Sequence, residues 1–196
     1  MKTSRLWLVP LLLACFQAHA AEPRMPLFPK IAFSTSAGDF VVQLDGRRSP
    51  LTTRNFVEYV NSGHYDGTIF HRVISGFMAQ TGGFDKDLTE KPTRNPVPNE
   101  SGNGLSNLRG TLAMARTNDP HSAAAQFFIN LVDNQRLDPN PRSWGYTVFG
   151  EVVEGMDVID KIAAMETGPR GRFRSDVPKT NVIITKATLV DGKTKP

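Results

Sequence analysis

Beyond residue 29 the apolar residues come in short β-prone runs broken by glycine, proline and asparagine, and only two stretches have the wider spacing of a helix. That pattern constrains the fold more than any other feature. Residues 30–36 and 40–44 flank Ala37-Gly38-Asp39 as two arms of a hairpin. Further runs follow at 68–74, 77–81, 97–100, 111–116, 126–132, 147–153 and 181–190. Ser49-Pro50 starts a helix, with serine as cap and proline in the first turn; Phe56, Val57 and Val60 form its apolar stripe, and Gly63 ends it. A second helix covers 155–164, with Met156, Ile159 and Ile162 on its inner face. Many short strands and two helices predict a mainly β domain, a closed antiparallel barrel capped by the helices.

The ends of the chain read differently. Lys2 and Arg5 precede a nine-residue apolar run at 6–14, and Ala18-His19-Ala20 ends on small residues, the pattern of an export signal cleaved after Ala20. The run is too short to span a bilayer, which takes about 20 residues. The expectation is export. Leu12-Leu13-Ala14-Cys15 also has the form of a lipoprotein box, so a lipid anchor on Cys15 is the alternative. Residues 21–29 read as an extended lead-in, 30–191 as one domain and 192–196 as a polar tail. The 176 residues left by cleavage (196 − 20) are enough to build a core.

Several chemistries are excluded by composition. Cys15 is the only cysteine, so the cleaved chain has no disulfide, thiolate nucleophile or cysteine-bound metal. His64, His71 and His121 stand in no zinc spacing, and neither a nucleophile elbow nor a phosphate loop is present. No cofactor and no metal are expected. Net charge falls from +4 to +2 once Lys2 and Arg5 are removed, which gives no case for nucleic acid. The basic stretch Arg170-Gly-Arg172-Phe-Arg174 reads as a solvated loop, with an anionic partner as the alternative.

What remains is FHRVISGFMAQTGG at 70–83, where Arg72 sits among aromatics with no carboxylate until Asp85. Strand alternation sends the rings of Phe127 and Phe128 to opposite faces, one to fill the barrel and one to line an outer groove. The same reasoning separates Phe77 from Met78.

These residues, with RGTLAMAR at 109–116, QFFIN at 126–130 and YTVFGEVVEGMDVIDKI at 146–162, closely resemble the cyclophilins, the cyclosporin-binding family of peptidyl-prolyl isomerases. The likeness runs from about Lys30 to Val190 and is greatest to the bacterial exported branch, which with the signal makes the periplasm the expected destination. It implies an eight-stranded barrel with a helix at each end and a shallow active-site groove on the outer wall. It makes Arg72 the catalytic arginine, with His71, Phe77, Met78 and Gln80 lining the groove. Ala115 and Arg116 would add backbone and edge, Phe128 the floor of a proline pocket, and Leu137 and Tyr146 its far wall. Departures from the family pattern are Ser75 for proline, Arg116 for asparagine, Ala124-Ala125 for a more polar pair and Tyr146 for histidine. Arg136 replaces a tryptophan that contacts cyclosporin, so weak drug binding is expected. The implied partners are proline-containing unfolded or flexible polypeptides, and a monomer is expected.

Such a reaction needs none of the missing machinery. An X-Pro bond rotates over about 18–20 kcal/mol as the amide loses conjugation, and no covalent bond is made or broken. The twisted prolyl nitrogen gains a lone pair that a fixed guanidinium can meet only in that state. Arg72 would then lack a local acid because its partner is the substrate, with Gln80 holding its side chain. Reaching about 10³ per second takes about 6–7 kcal/mol, of which one preorganised donor supplies about 3–4. The rest falls to an apolar slot that grips the ring. The reading of a different class is a binding module that captures proline segments without turning them over.

Overall fold

The structure is a computed structural model that describes residues 26–190. The expected signal peptide, its cleavage point, the Cys15 box and the tail at 192–196 lie outside the described residues. Within them the lead-in is tied down at once. Leu44 N–H donates to Pro29 O at 2.9 Å and Gly46 N–H to Leu27 O at 2.8 Å, which holds the entering chain against the end of the first hairpin.

That hairpin is β1 (Lys30–Thr35) and β2 (Gly38–Leu44). Its register sets Phe33 opposite Phe40, whose rings stack at 4.9 Å. Helix α1 (Pro50–Asn61) follows, then β3 (Arg72–Ile74), β4 (Met78–Thr81), β5 (Thr111–Met114), β6 (Phe127–Asn130) and β7 (Val148–Glu154). Helix α2 (Met156–Ala163), the hairpin β8 (Thr167–Arg170) and β9 (Phe173–Pro178), and β10 (Ile184–Val190) complete the chain. Eight strands form one sheet in the order β10-β1-β2-β7-β5-β6-β4-β3, every pairing antiparallel.

The closed barrel expected from the sequence is corrected to an open half-barrel, because the end strands β10 and β3 share no ladder. β3 is three residues long, and β9 packs beside it. The gap is bridged by the segment ahead of β3. Gly67 N–H donates to Ile184 O and Ile184 N–H to Thr68 O, both at 2.8 Å, and Phe70 N–H donates to Val182 O at 3.0 Å.

The concave side holds the core. Phe56 of α1 meets Phe127 of β6 at 5.1 Å and Phe149 of β7 at 5.0 Å, and Tyr65 donates its hydroxyl to Ala125 O at 3.0 Å. All four side chains are buried. Burying each such ring contributes about 1.5–3 kcal/mol, which makes this cluster the main source of cohesion in a chain without disulfides. Helix α2 adds Val158, Ile159 and Ile162.

Two local expectations change. The stretch 170–174 is not a loop: it spans the β8–β9 hairpin, with Gly171 at φ 54° in the turn. Its arginines concealed an inward-facing Phe173, which packs on Phe84 at 5.2 Å. Ser49 likewise starts α1 without capping it through its side chain; its hydroxyl donates to Val148 O at 2.9 Å. The cap is Glu100, distant in sequence, whose carboxylate accepts from Leu51 N–H at 3.1 Å, Thr52 N–H at 2.8 Å and the Thr52 hydroxyl at 2.7 Å. A carboxylate there satisfies orphan amides and meets the positive end of the helix dipole. Glu100→Ala is therefore expected to lower unfolding free energy by about 1–2 kcal/mol in urea titration. An unshifted midpoint would mean that the cap contributes nothing.

Candidate active site

Four neighbouring strands, β5, β6, β4 and β3, divide their side chains between two faces. Val73, Ala79, Leu112, Met114, Phe127 and Ile129 belong to the main core. Their neighbours Met78, Ala113 and Phe128, with Val148, form a second apolar cluster on the convex side. Phe127 and Phe128 part as alternation requires. Phe77 and Met78 do not: Phe77 lies in the turn before β4, outside the pleat, and both line the same cavity. Pairing builds a transverse row, with Arg72 opposite Gln80, Gln80 opposite Phe128, Phe128 opposite Ala113 and Ala113 opposite Val148.

This row opens into a cavity of about 230 Å³ lined by Arg72, Phe77, Met78, Gln80, Ala115, Arg116, Phe128, Leu137 and Tyr146. Nine of the ten residues assigned from the sequence thus meet at one place. His71 does not. It is 2% exposed, and its ring packs on Phe84 at 4.7 Å and Phe173 at 5.7 Å, on the far side of the strand from Arg72. The expected groove contact is replaced by a buried histidine whose Nδ1 has no hydrogen-bond partner. Adjacent positions on an extended chain face opposite ways, so His71 is turned inward wherever Arg72 is turned outward.

Arg72 is half-buried and, among the described residues, makes no ion pair. The expected bond from Gln80 to Arg72 is absent too. Gln80 Nε2 instead donates to Gln126 Oε1 at 3.0 Å, which fixes Gln80 from the strand beyond. Gln126 was not assigned from the sequence, although it shares the parity of Phe128. Its position depends on Gly83 at the end of the first motif: a Cβ there would stand 2.4 Å from Gln126 Cδ.

Sequence reasoning also passed over a chain of buried amides under the groove wall. Asn134 Nδ2 donates to Phe77 O and to Asn130 Oδ1, both at 2.8 Å. Asn130 Nδ2 reaches Asn107 Oδ1 at 3.2 Å, and Asp138 Oδ1 accepts from Asn107 N–H at 2.7 Å and Nδ2 at 2.8 Å. Leu137 N–H donates to Asn134 O at 2.8 Å and Tyr146 N–H to Leu137 O at 2.9 Å. The turn holding Phe77, the short helical turn Gln135–Leu137 and Tyr146 are therefore fastened to one another. Buried polar chains of this kind specify a rigid geometry when every member is paired.

The rim is cationic. Arg116 lies over the Tyr146 ring at 4.5 Å and Arg136 over the Phe77 ring at 4.7 Å. Tyr146 in turn meets Phe128 edge-on at 5.6 Å. Among the described residues no group of three or more His, Cys, Asp or Glu gathers to hold a metal. No helix among them is long and apolar enough to cross a membrane. The arrangement offers the Arg72 guanidinium, without an ion pair among the described residues, beside an apolar slot.

Comparison with known proteins agrees. The family model for the cyclophilin type peptidyl-prolyl cis-trans isomerase/CLD matches residues 30–189. The chain is 52% identical over 162 residues to peptidyl-prolyl cis-trans isomerase B of Escherichia coli (strain K12), covering 81% of this chain and 98% of that protein. It is 53% identical over 163 residues to peptidyl-prolyl cis-trans isomerase cyp18 of Streptomyces antibioticus, covering 82% and 98%. Its fold is similar to the crystal structure of a Cryptosporidium parvum cyclophilin type isomerase, with a TM-score of 0.68 at 24% identity over 84% of this chain and 99% of that one.

The burial of His71 has a measurable consequence. Desolvation lowers its pKa to about 4, and the Arg72 and Arg172 guanidiniums push the same way. The unfolded chain takes up this proton near its ordinary value of about 6.5, and the folded protein only near 4. Stability from this group is complete above 6.5 and is lost as pH falls towards 4. Between pH 7 and 4.5, His71→Leu should lose about 2 kcal/mol less unfolding free energy than the unaltered protein. Equal losses in urea titrations at the two pH values would show that His71 titrates normally.

Proposed function

The chain belongs to the cyclophilin-type peptidyl-prolyl cis-trans isomerases, and from that premise we propose that it speeds rotation about X-Pro bonds through Arg72, in exported polypeptides whose folding it assists. The observation that carries this reading is the guanidinium of Arg72, half-buried in the groove with no ion pair among the described residues. The proline ring lies in the apolar slot of Phe77, Met78, Phe128 and Leu137, with Tyr146 closing the far side. The amide preceding it lies along the edge formed by Ala115 and Arg116. As that amide twists, the prolyl nitrogen becomes pyramidal and accepts a hydrogen bond from Arg72 that the planar ground state does not accept. Only an interaction stronger in the transition state raises the rate of the step. Gln80, braced by Gln126, keeps the adjoining wall in place.

No proton moves in this reaction. That suits a site whose one neighbouring histidine is buried and turned away. No cofactor is required, and the protein acts as a monomer. Cyclosporin is expected to bind weakly, because Arg136 stands where drug-sensitive members of the family have a tryptophan.

Export rests on the basic start, the apolar run and Ala18-His19-Ala20. The intact mass of protein recovered from the periplasm is expected to begin at Ala21. A mass carrying acyl chains on Cys15 would replace the free form by the anchored one. For the chemistry, a protease-coupled assay on a proline peptide is expected to show Arg72→Ala reduced about 10²- to 10³-fold in kcat/KM, with its circular dichroism and melting temperature retained. An unchanged rate would remove Arg72 from the mechanism. If the unaltered protein left the slow phase untouched, it would be a binding module.

A further inference from the structure

The groove does not end at the proline pocket. Past Leu137 and Tyr146 it continues into a second cavity of about 420 Å³, whose walls include Arg116, Arg136 and Arg142. Among the described residues none of the three makes an ion pair with a carboxylate. Arg116 is held by neutral carbonyls: Nη2 donates to Trp144 O at 2.8 Å, Nη1 to Thr117 O at 2.9 Å and Nε to Gly145 O at 3.3 Å. With Tyr146 beneath it, the group is fixed in position but its charge is not neutralised. Arg136 rests on the face of Phe77 and Arg142 is exposed. The only carboxylate in this cavity's wall is Asp138, which is occupied with the Asn107 amides and leaves three cations against one anion.

The flank of the groove beside Gln80 and Gln126 is different. There a cavity that also borders Gln80 and Arg116 has Glu90 in its wall, and Glu90 is paired with Arg172 at 3.1 Å. Unbalanced positive charge is therefore concentrated at one end of the site. Guanidiniums bind carboxylates in a planar, two-pronged geometry that an ammonium cannot reproduce. Fixing their position in advance removes part of the ordering cost of such a contact.

We propose that the arginine-walled end selects substrates with an aspartate or glutamate close to the isomerised proline, on one side of it only. The proposal rests on the isomerase reading above. It makes Arg142 and Arg136 specificity residues that take no part in the rotation, and it gives the protein a preference for acidic proline segments.

The test is exchange NMR on short peptides that place Glu, Gln or Lys at successive positions before and after a single proline. At low salt the Glu peptide is expected to exceed its Gln counterpart about three- to tenfold in kcat/KM on one side of the proline, with Lys below both. The advantage shrinks at about 0.5 M NaCl, where charges beyond a few ångströms are screened. Arg142→Gln combined with Arg136→Gln removes most of the advantage, leaving what Arg116 alone supplies, and Arg142→Glu turns it towards Lys, while the Gln peptide is turned over at the unaltered rate by Arg142→Gln. Equal turnover of Glu, Gln and Lys peptides, or a Glu preference undiminished in the double variant, would overturn the proposal while leaving the isomerase reading intact. No turnover of any peptide would strike that reading and this proposal with it.

Discussion

The floor of the groove and its catalytic wall depend on the pleat of three short strands. Along β4, β5 and β6 each residue that enters the core obliges its neighbour to face outward. Phe127 and Ile129 pack inside, so Phe128 must form the floor of the slot; Ala79 and Thr81 are buried, so Met78 and Gln80 stand beside it. The register then brings Arg72, Gln80 and Phe128 into one row, joining the β3–β4 hairpin to β6, which is distant in sequence. A slip of one residue would exchange the two sets and destroy core and groove together. Fold and site are thus specified by the same residues, which is why the apolar core behind the sheet is also what holds the active face in place.

The opposite wall is not made by a strand and needs other means. Phe77 and Leu137 lie in turns and Tyr146 in the segment leading into β7, and the asparagine chain through Asn107, Asn130 and Asn134 takes the place of a ladder there. Amides suit this task because each offers both donor and acceptor, so a few residues can tie several loops to one another. The result is a rigid, shallow slot in a reaction where positioning matters and no covalent chemistry is performed.

Much of this was legible in the residues. The hairpin at the start, both helices and most strands follow from runs, breakers and spacing, and the parting of Phe127 from Phe128 follows from alternation alone. The site residues were reached through the resemblance of whole motifs, because an arginine without an acid nearby does not reveal its partner. What escaped notice has physical causes. An apolar residue beside a strand looks like its first residue, but Phe77 belongs to the turn before β4. His71 was placed in the groove with its neighbours in the motif, although the alternation used for Phe128 turns it inward. The β8–β9 hairpin was hidden by its arginines, whose charge masked Phe173. The Glu100 cap and the asparagine chain join residues distant in sequence, and no local pattern announces such contacts.

The central claim is that Arg72 acts on the twisted amide and not on the resting one. Its most direct test separates binding from turnover on the enzyme, using NMR lineshapes of a proline peptide titrated with the Arg72→Ala protein. The account predicts a dissociation constant within about threefold of the unaltered protein and a rate of interconversion in the complex at least about a hundredfold slower. Affinity and rate falling by the same factor would contradict it, because Arg72 would then be holding the planar substrate.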